Sequence, residues 1–159
     1  NIENRSTNGR TIGELVPLSR EVSGRYPLIL LQIGGNDILA GRDVSAVERE
    51  LREIVHALED NTDHLVMLST GNVGAATAFD AERAATLTER TRAFRAIFQE
   101  VASDTPLTYV DLFLEPEEDP FVAEPERYLS PDGLHPSDAG YGFWYEKLRP
   151  VVGARLRPS

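Results

Sequence analysis

Three short, nearly continuous apolar runs constrain this chain more than any other feature: PLILLQI at 27–33, HLVMLS at 64–69 and LTYVDL at 107–112. Such runs, bounded by turn residues, read as strands buried on both faces, and the first should be an inner strand of a parallel sheet. The intervals between them carry helical periodicity. Ser45-Ala46-Val47-Glu48 has the spacing of a capping box, and Val47, Leu51, Val55 and Leu58 follow at helical intervals to about Asp60. A second helix is expected from Asp80 to about Ala102, with Leu87, Phe94, Phe98 and Val101 on one stripe and Arg83, Arg90 and Arg92 elsewhere. Strands alternating with helices predict an α/β domain with a parallel, doubly wound sheet.

The flanks are less regular. Residues 1–13 read as the end of a strand running into a Ser/Thr/Asn/Gly loop, with a short helix to about Val22. After 107–112 comes a proline-rich acidic loop, Glu115 to Glu126, readable as a solvated loop, as a lid or as a calcium site without EF-hand spacing. A final helix is expected from about Ser137 to Leu156, with Tyr141, Trp144, Tyr145 and Leu148 as its core face.

At 159 residues the chain reads as one domain, 1–159, large enough for a sizeable core. A formal net charge of −10 argues against a nucleic-acid partner and favours small neutral or cationic substrates. No apolar run approaches the roughly 18 residues that cross a bilayer, so a soluble chain is expected, in a compartment the sequence leaves open. There are no cysteines, which removes thiolate metal sites, disulfides and a Cys nucleophile. His56 and His64 have no second ligand at metal-binding spacing, and no cofactor or metal is expected. The single methionine is Met67, so Asn1 is not an initiator position, and the chain is expected to be processed, truncated or partly recorded.

Chemistry concentrates in Ser130-Pro131-Asp132-Gly133-Leu134-His135-Pro136. Gly133 permits a tight bend and the two prolines stiffen its flanks, so Asp132 can fold back onto one ring nitrogen of His135. That arrangement is the base half of a hydrolytic triad, and an imidazole with an ordinary pKa of about 6.5 suits general-base work at neutral pH. The competing reading is a turn that caps the following helix through Ser137 or Asp138. Gly34-Gly35-Asn36-Asp37 ends the first apolar run, where paired glycines admit a ligand close to the backbone and the Asn36 amide can donate to a developing oxyanion. Gly9 can add a backbone N–H to the same hole. Ser69 and Asn72 follow the second run and are candidates for the wall of a substrate pocket. All of these lie on segments that follow strands, and should converge on the rim where ligands bind in open α/β sheets.

Asn4-Arg5-Ser6-Thr7-Asn8-Gly9-Arg10-Thr11, Gly34-Gly35-Asn36-Asp37 and Asp132-Gly133-Leu134-His135-Pro136, in that order, resemble the second, third and fifth conserved blocks of the SGNH (GDSL-type) hydrolases. The resemblance spans essentially the whole chain. It implies a flavodoxin-like, three-layer α/β/α fold and a serine ester hydrolase acting on a small ester or an acylated carbohydrate without a metal. By motif, Gly9 and Asn36 would be oxyanion-hole donors, His135 the general base and Asp132 its orienting partner. The first block, a central strand ending in Gly-Asp-Ser with the nucleophile, is missing from this sequence, and no Gly-x-Ser-x-Gly replaces it. Ser6 and Ser69 read as loop or wall residues. The expectation is therefore a companion N-terminal segment that carries the missing strand and Ser. The alternatives are a non-catalytic accessory module of the same fold, or an acyltransferase built on the same constellation.

Overall fold

A computed structural model describes residues 2–155. The expected strand start at Asn1 and helix end at Leu156 lie outside those residues. In order, the elements are α1 (Ile12–Arg20), β1 (Ile29–Gln32), α2 (Gly35–Leu39), α3 (Val44–Leu58), β2 (Leu65–Leu68), α4 (Ala81–Asp104), β3 (Leu107–Val110), α5 (Pro120–Ala123), α6 (Pro125–Tyr128) and α7 (Asp138–Arg155). The three strands pair in parallel in the order β1-β2-β3, with Ile29 beside Leu65 and Leu65 beside Leu107. This is the expected α/β sheet with helices on both faces.

The alternation of side chains along each strand creates two cores. Ile29, Leu31, Leu65, Met67, Leu107 and Tyr109 join the cluster formed with α1, α3 and α4. Val66, Leu68 and Val110 join the opposite cluster with Phe121, Leu129 and Trp144. The three layers follow from apolar residues at both parities of each run. Val47, Leu51, Val55 and Leu58 are all buried, as are Leu87, Phe94, Phe98 and Val101.

Several expectations are corrected. The α3 helix starts two residues earlier than the Ser45 capping box implies, because the Asp43 carboxylate caps it by accepting the Ala46 N–H at 2.8 Å. Residues 2–10 form no strand; Ile2 is 96% exposed, and among the described residues there is no neighbouring strand for it to join. Among the described residues β1 has one side open, the side that the missing strand would occupy. Its Ile29 and Ile33 N–H groups donate to His64 and Leu68, so those of Leu30 and Gln32 face the open side, and Leu30 is 44% exposed. The acidic segment 115–126 is not a plain loop, since Asp119 accepts the Phe121 N–H at 2.9 Å to start α5, and α6 follows at once. Phe121 is buried against Tyr128, Phe143 and Trp144, which ties the segment down.

Only part of the expected α7 core face is core. Trp144 is buried, but Tyr141 and Tyr145 are 48% and 56% exposed. With Leu148 they wall an apolar groove whose floor is Leu30, Gln32 and Leu68, directly beside the open edge of β1.

Candidate active site

Segment 128–137 folds as a tight hairpin-like loop between α6 and α7. Ser137 N–H donates to Tyr128 O at 2.9 Å, Ser130 N–H to His135 O at 2.8 Å, and Gly133 N–H to Ser130 O at 2.9 Å. Gly133 takes φ +68°, a left-handed conformation that an L side chain resists, and this turns the chain so that Asp132 faces His135. His135 Nδ1 lies 2.7 Å from Asp132 Oδ2. The other oxygen, Oδ1, accepts the Ser130 hydroxyl at 2.7 Å, the Leu134 N–H at 2.9 Å and the His135 N–H at 3.0 Å.

These bonds, led by the one to the imidazole, hold the Asp132 carboxyl well below the usual carboxylate range. A carboxylate can only accept, so Nδ1 carries the proton and donates it, which leaves Nε2 as the ring's basic nitrogen. The His135 side chain is 66% exposed.

The second cluster lies after β1. Gly34 caps α2 at φ +106°, with the Phe98 ring 3.0 Å from where a Cβ would sit, so no larger residue fits there without displacement. The Asn36 Nδ2 donates to Arg10 O at 3.0 Å, which brings Asn36 against the loop of Gly9, itself at φ +81°. An amide carries two N–H groups, so one remains for a ligand. Among the described residues no hydrogen bond joins the Gly9 and Asn36 pair to Asp132 and His135. Asn36 follows the carboxyl end of β1, whereas Gly9 follows no strand among the described residues and the Asp132–His135 hairpin follows α6.

Ser69 and Asn72, the expected pocket wall, are both buried. Ser69 is 4% exposed, donates to Thr70 O at 3.0 Å and meets the Tyr109 hydroxyl at 2.8 Å. Burial pushes the Tyr109 phenol well above its ordinary value, so it offers no base to activate that serine. Asn72 Oδ1 accepts the Gly74 N–H and the Thr88 hydroxyl, each at 3.0 Å, which fixes the turn after β2. A cleft of about 840 Å3 opens beside the hairpin, lined by Thr77, Leu129, Pro131, Pro136, Glu126 and Asp138; none of Gly9, Asn36, Ser69, Asn72, Asp132 or His135 lines it.

Residues 1–143 match the GDSL-like lipase/acylhydrolase family. The chain belongs to that family. Solved structures with the same fold include a lipolytic G-D-S-L family protein from Veillonella parvula, at 19% identity and TM-score 0.73, over 98% of this chain and 81% of that one. The psychrotrophic esterase EstA from Pseudoalteromonas sp., in a structure inhibited by monoethylphosphonate, matches at 16% identity and TM-score 0.66, over 97% and 77%. A mutant of Axe2, an acetylxylan esterase from Geobacillus stearothermophilus, matches at 18% identity and TM-score 0.53, over 95% and 72%. No curated protein matches the chain.

Sequence reasoning missed three contacts around the candidate residues. Ser130 holds Asp132, a contact signalled only by its i, i+2 spacing. The segment after Ala76 braces the hairpin, with Ala78 N–H donating to Gly133 O at 3.1 Å, and nothing local to either segment signals it. Asp37 is completely buried yet charged in type, with both oxygens 3.1 Å from the Ile12 nitrogen and Oδ1 3.0 Å from Arg42 Nη1. Its motif was legible, its partner 25 residues upstream was not.

Proposed function

We propose that this chain carries the base and the oxyanion donors of a serine ester hydrolase. The observation that carries this reading is the Asp132–His135 pair at 2.7 Å, with hydrogen bonds on both carboxylate oxygens and the His135 side chain exposed. In the proposed reaction a serine Oγ attacks the acyl carbonyl while His135 Nε2 takes its proton. The Gly9 N–H and the second Asn36 N–H stabilise the oxyanion. His135 then returns the proton to the departing alcohol oxygen, and water attacks the acyl-serine by the same route in reverse.

The serine comes, on this reading, from a companion segment upstream. Among the described residues no serine hydroxyl hydrogen-bonds His135; Ser6 bonds Asn4, Ser69 faces Tyr109, and Ser130 is taken by Asp132. The open edge of β1 and the Tyr141–Trp144–Tyr145 groove support a strand of that segment as occupant: its backbone would meet the Leu30 and Gln32 peptide groups, and its apolar side chains the groove. Running parallel to β1, it would end level with Gly34 and Asn36. The formal net charge of −10 suits a small neutral or cationic ester better than an anionic one.

The test is hydrolysis of p-nitrophenyl acetate by the full-length protein and by His135→Ala. The reading expects turnover that falls by at least about three orders of magnitude in the variant. Equal rates would overturn it. The missing hydroxyl partner of His135 also fits a second reading, an accessory module that binds esters without turnover, for which both proteins would be inactive while an ester ligand still protects His135 in titration.

A further inference from the structure

The two proposed oxyanion donors come from different elements 27 positions apart, and neither element holds itself in place. Gly9 lies on an exposed loop with nothing within 4 Å of where a side chain would begin. Asn36 lies on α2, only five residues long, too short to fix its own axis. What joins them is a network centred on the buried Asp37. Its carboxylate receives the Ile12 N–H, the first of α1 and three residues after Gly9, with both oxygens at 3.1 Å. A negative group at a helix start is matched to the free N–H groups there. Arg42 bridges Asp37, at 3.0 Å, to Glu50 of α3, which it grips with two bonds of 2.7 Å. Arg83 and Arg90 of α4 close the other end of α2 by donating to Leu39 O at 3.2 Å and to Ile38 O at 3.2 Å, and Arg90 also reaches Arg42 O.

A fully buried carboxylate is costly to keep unless it is paired and hydrogen-bonded, and an apolar residue would fill the same space more cheaply. Asp37 is paired, but what its pairing accomplishes is the clamping of α1 to α2. The Asn36 to Arg10 O bond then lies inside a frame fixed close by on each side, at Asp37 and at Ile12.

We propose that Asp37 is a positioning residue that sets the Gly9 backbone against the Asn36 amide, by holding the Ile12 N–H while Arg42 holds the carboxylate. The proposal rests on the reading of Gly9 and Asn36 as oxyanion donors, and its test separates the two.

The test is Asp37→Asn in the full-length protein, read by turnover of p-nitrophenyl acetate and by amide NMR, with Val101→Ala, a cavity in the core of α4, as a control for lost stability. The expected result is a fall in kcat of tenfold or more with KM changed less than threefold, together with a displaced Gly9 amide resonance and at least tenfold faster exchange of the Ile12 amide. Val101→Ala is expected to lower Tm without moving Gly9. A folded Asp37→Asn protein whose Gly9 resonance and kcat coincide with the parent overturns the proposal. Should Asp37→Asn fail to fold, Arg42→Gln carries the same test, and an unmoved Gly9 resonance there overturns it too. If the parent protein has no turnover, the hydrolase reading fails, while the Gly9 and Ile12 amides still decide the positioning role.

Discussion

Gly133 lies against Thr77 so closely that a Cβ on Gly133 would stand 2.7 Å from the Thr77 hydroxyl, while Ala78 N–H donates to Gly133 O at 3.1 Å. The tip of the hairpin carrying Asp132 and His135 is therefore set by a segment more than 50 positions earlier. Gly133→Ala meets two penalties, the left-handed φ of +68° and the contact with Thr77. A left-handed L residue alone costs about 1–2 kcal/mol. The expected outcome is a loss of at least that much in urea denaturation, with turnover reduced tenfold or more. A variant with parental stability and rate would contradict this account of the loop.

The Asp132 carboxyl sits below its ordinary range because His135, Ser130 and two backbone N–H groups favour the charged form. A group depressed in this way adds stability that is complete above its unfolded pKa of about 3.9 and is lost as pH falls through its lower folded value. Tm measured from pH 5 to pH 2 should therefore fall more steeply for the parent than for Asp132→Asn, and the two curves should converge at the acid end. Parallel curves would show that the carboxylate is not held as described. Asp37 and Asp119 act with the opposite sign, since burial raises both, and their contribution runs counter to acid loss rather than adding to it.

Much of the fold could be read in the chain because its signals are local. The three apolar runs became β1, β2 and β3, and the stripes Val47–Leu58 and Leu87–Val101 became the buried faces of α3 and α4. The pairing of Asp132 with His135 was equally legible, as three residues and one glycine suffice to form it. What failed to show depends on distant partners. Tyr141 and Tyr145 have core spacing but face a groove. Asp37 stands in a motif quoted for its neighbour Asn36, and its link to Ile12 exists only once α1 packs beside α2.

Along the groove, burial separates two aromatic residues one position apart. Trp144 is 9% exposed and stacks near Phe121 at 5.9 Å, whereas Tyr145 is 56% exposed. Trp144→Ala should cost about 3–5 kcal/mol. Tyr145→Ala should stay within about 0.5 kcal/mol of the parent in residues 1–159 alone. In the presence of the proposed companion strand, Tyr145→Ala should become measurably destabilising. An equal cost for both substitutions in the isolated chain would contradict the description of this face.

Gly34 offers a second test of the rim. With φ +106° and the Phe98 ring 3.0 Å from the place a methyl group would occupy, Gly34→Ala must move either the ring or the start of α2. The expected cost is about 1–3 kcal/mol. Phe98→Leu, which relieves the contact, should recover part of it in a double-mutant cycle. Strict additivity would show that the two residues do not share the strain.

Asn36→Ala tests the donor role together with the bond to Arg10 O. Removal of one oxyanion donor typically costs about 2.7–4 kcal/mol of barrier, or roughly 10²–10³ in kcat. The variant should fold, because its one bond to Arg10 O is half-buried and the Asp37 clamp remains. Near-parental turnover would exclude Asn36 from the oxyanion hole.

The measurement that bears most directly on the central claim is intact and peptide mass spectrometry of the full-length protein after reaction with an alkyl phosphonate. The account predicts one adduct per molecule, on a serine outside residues 1–159, and its loss in His135→Ala. An adduct on Ser69 or Ser130, or no adduct in a protein that hydrolyses esters, would contradict it.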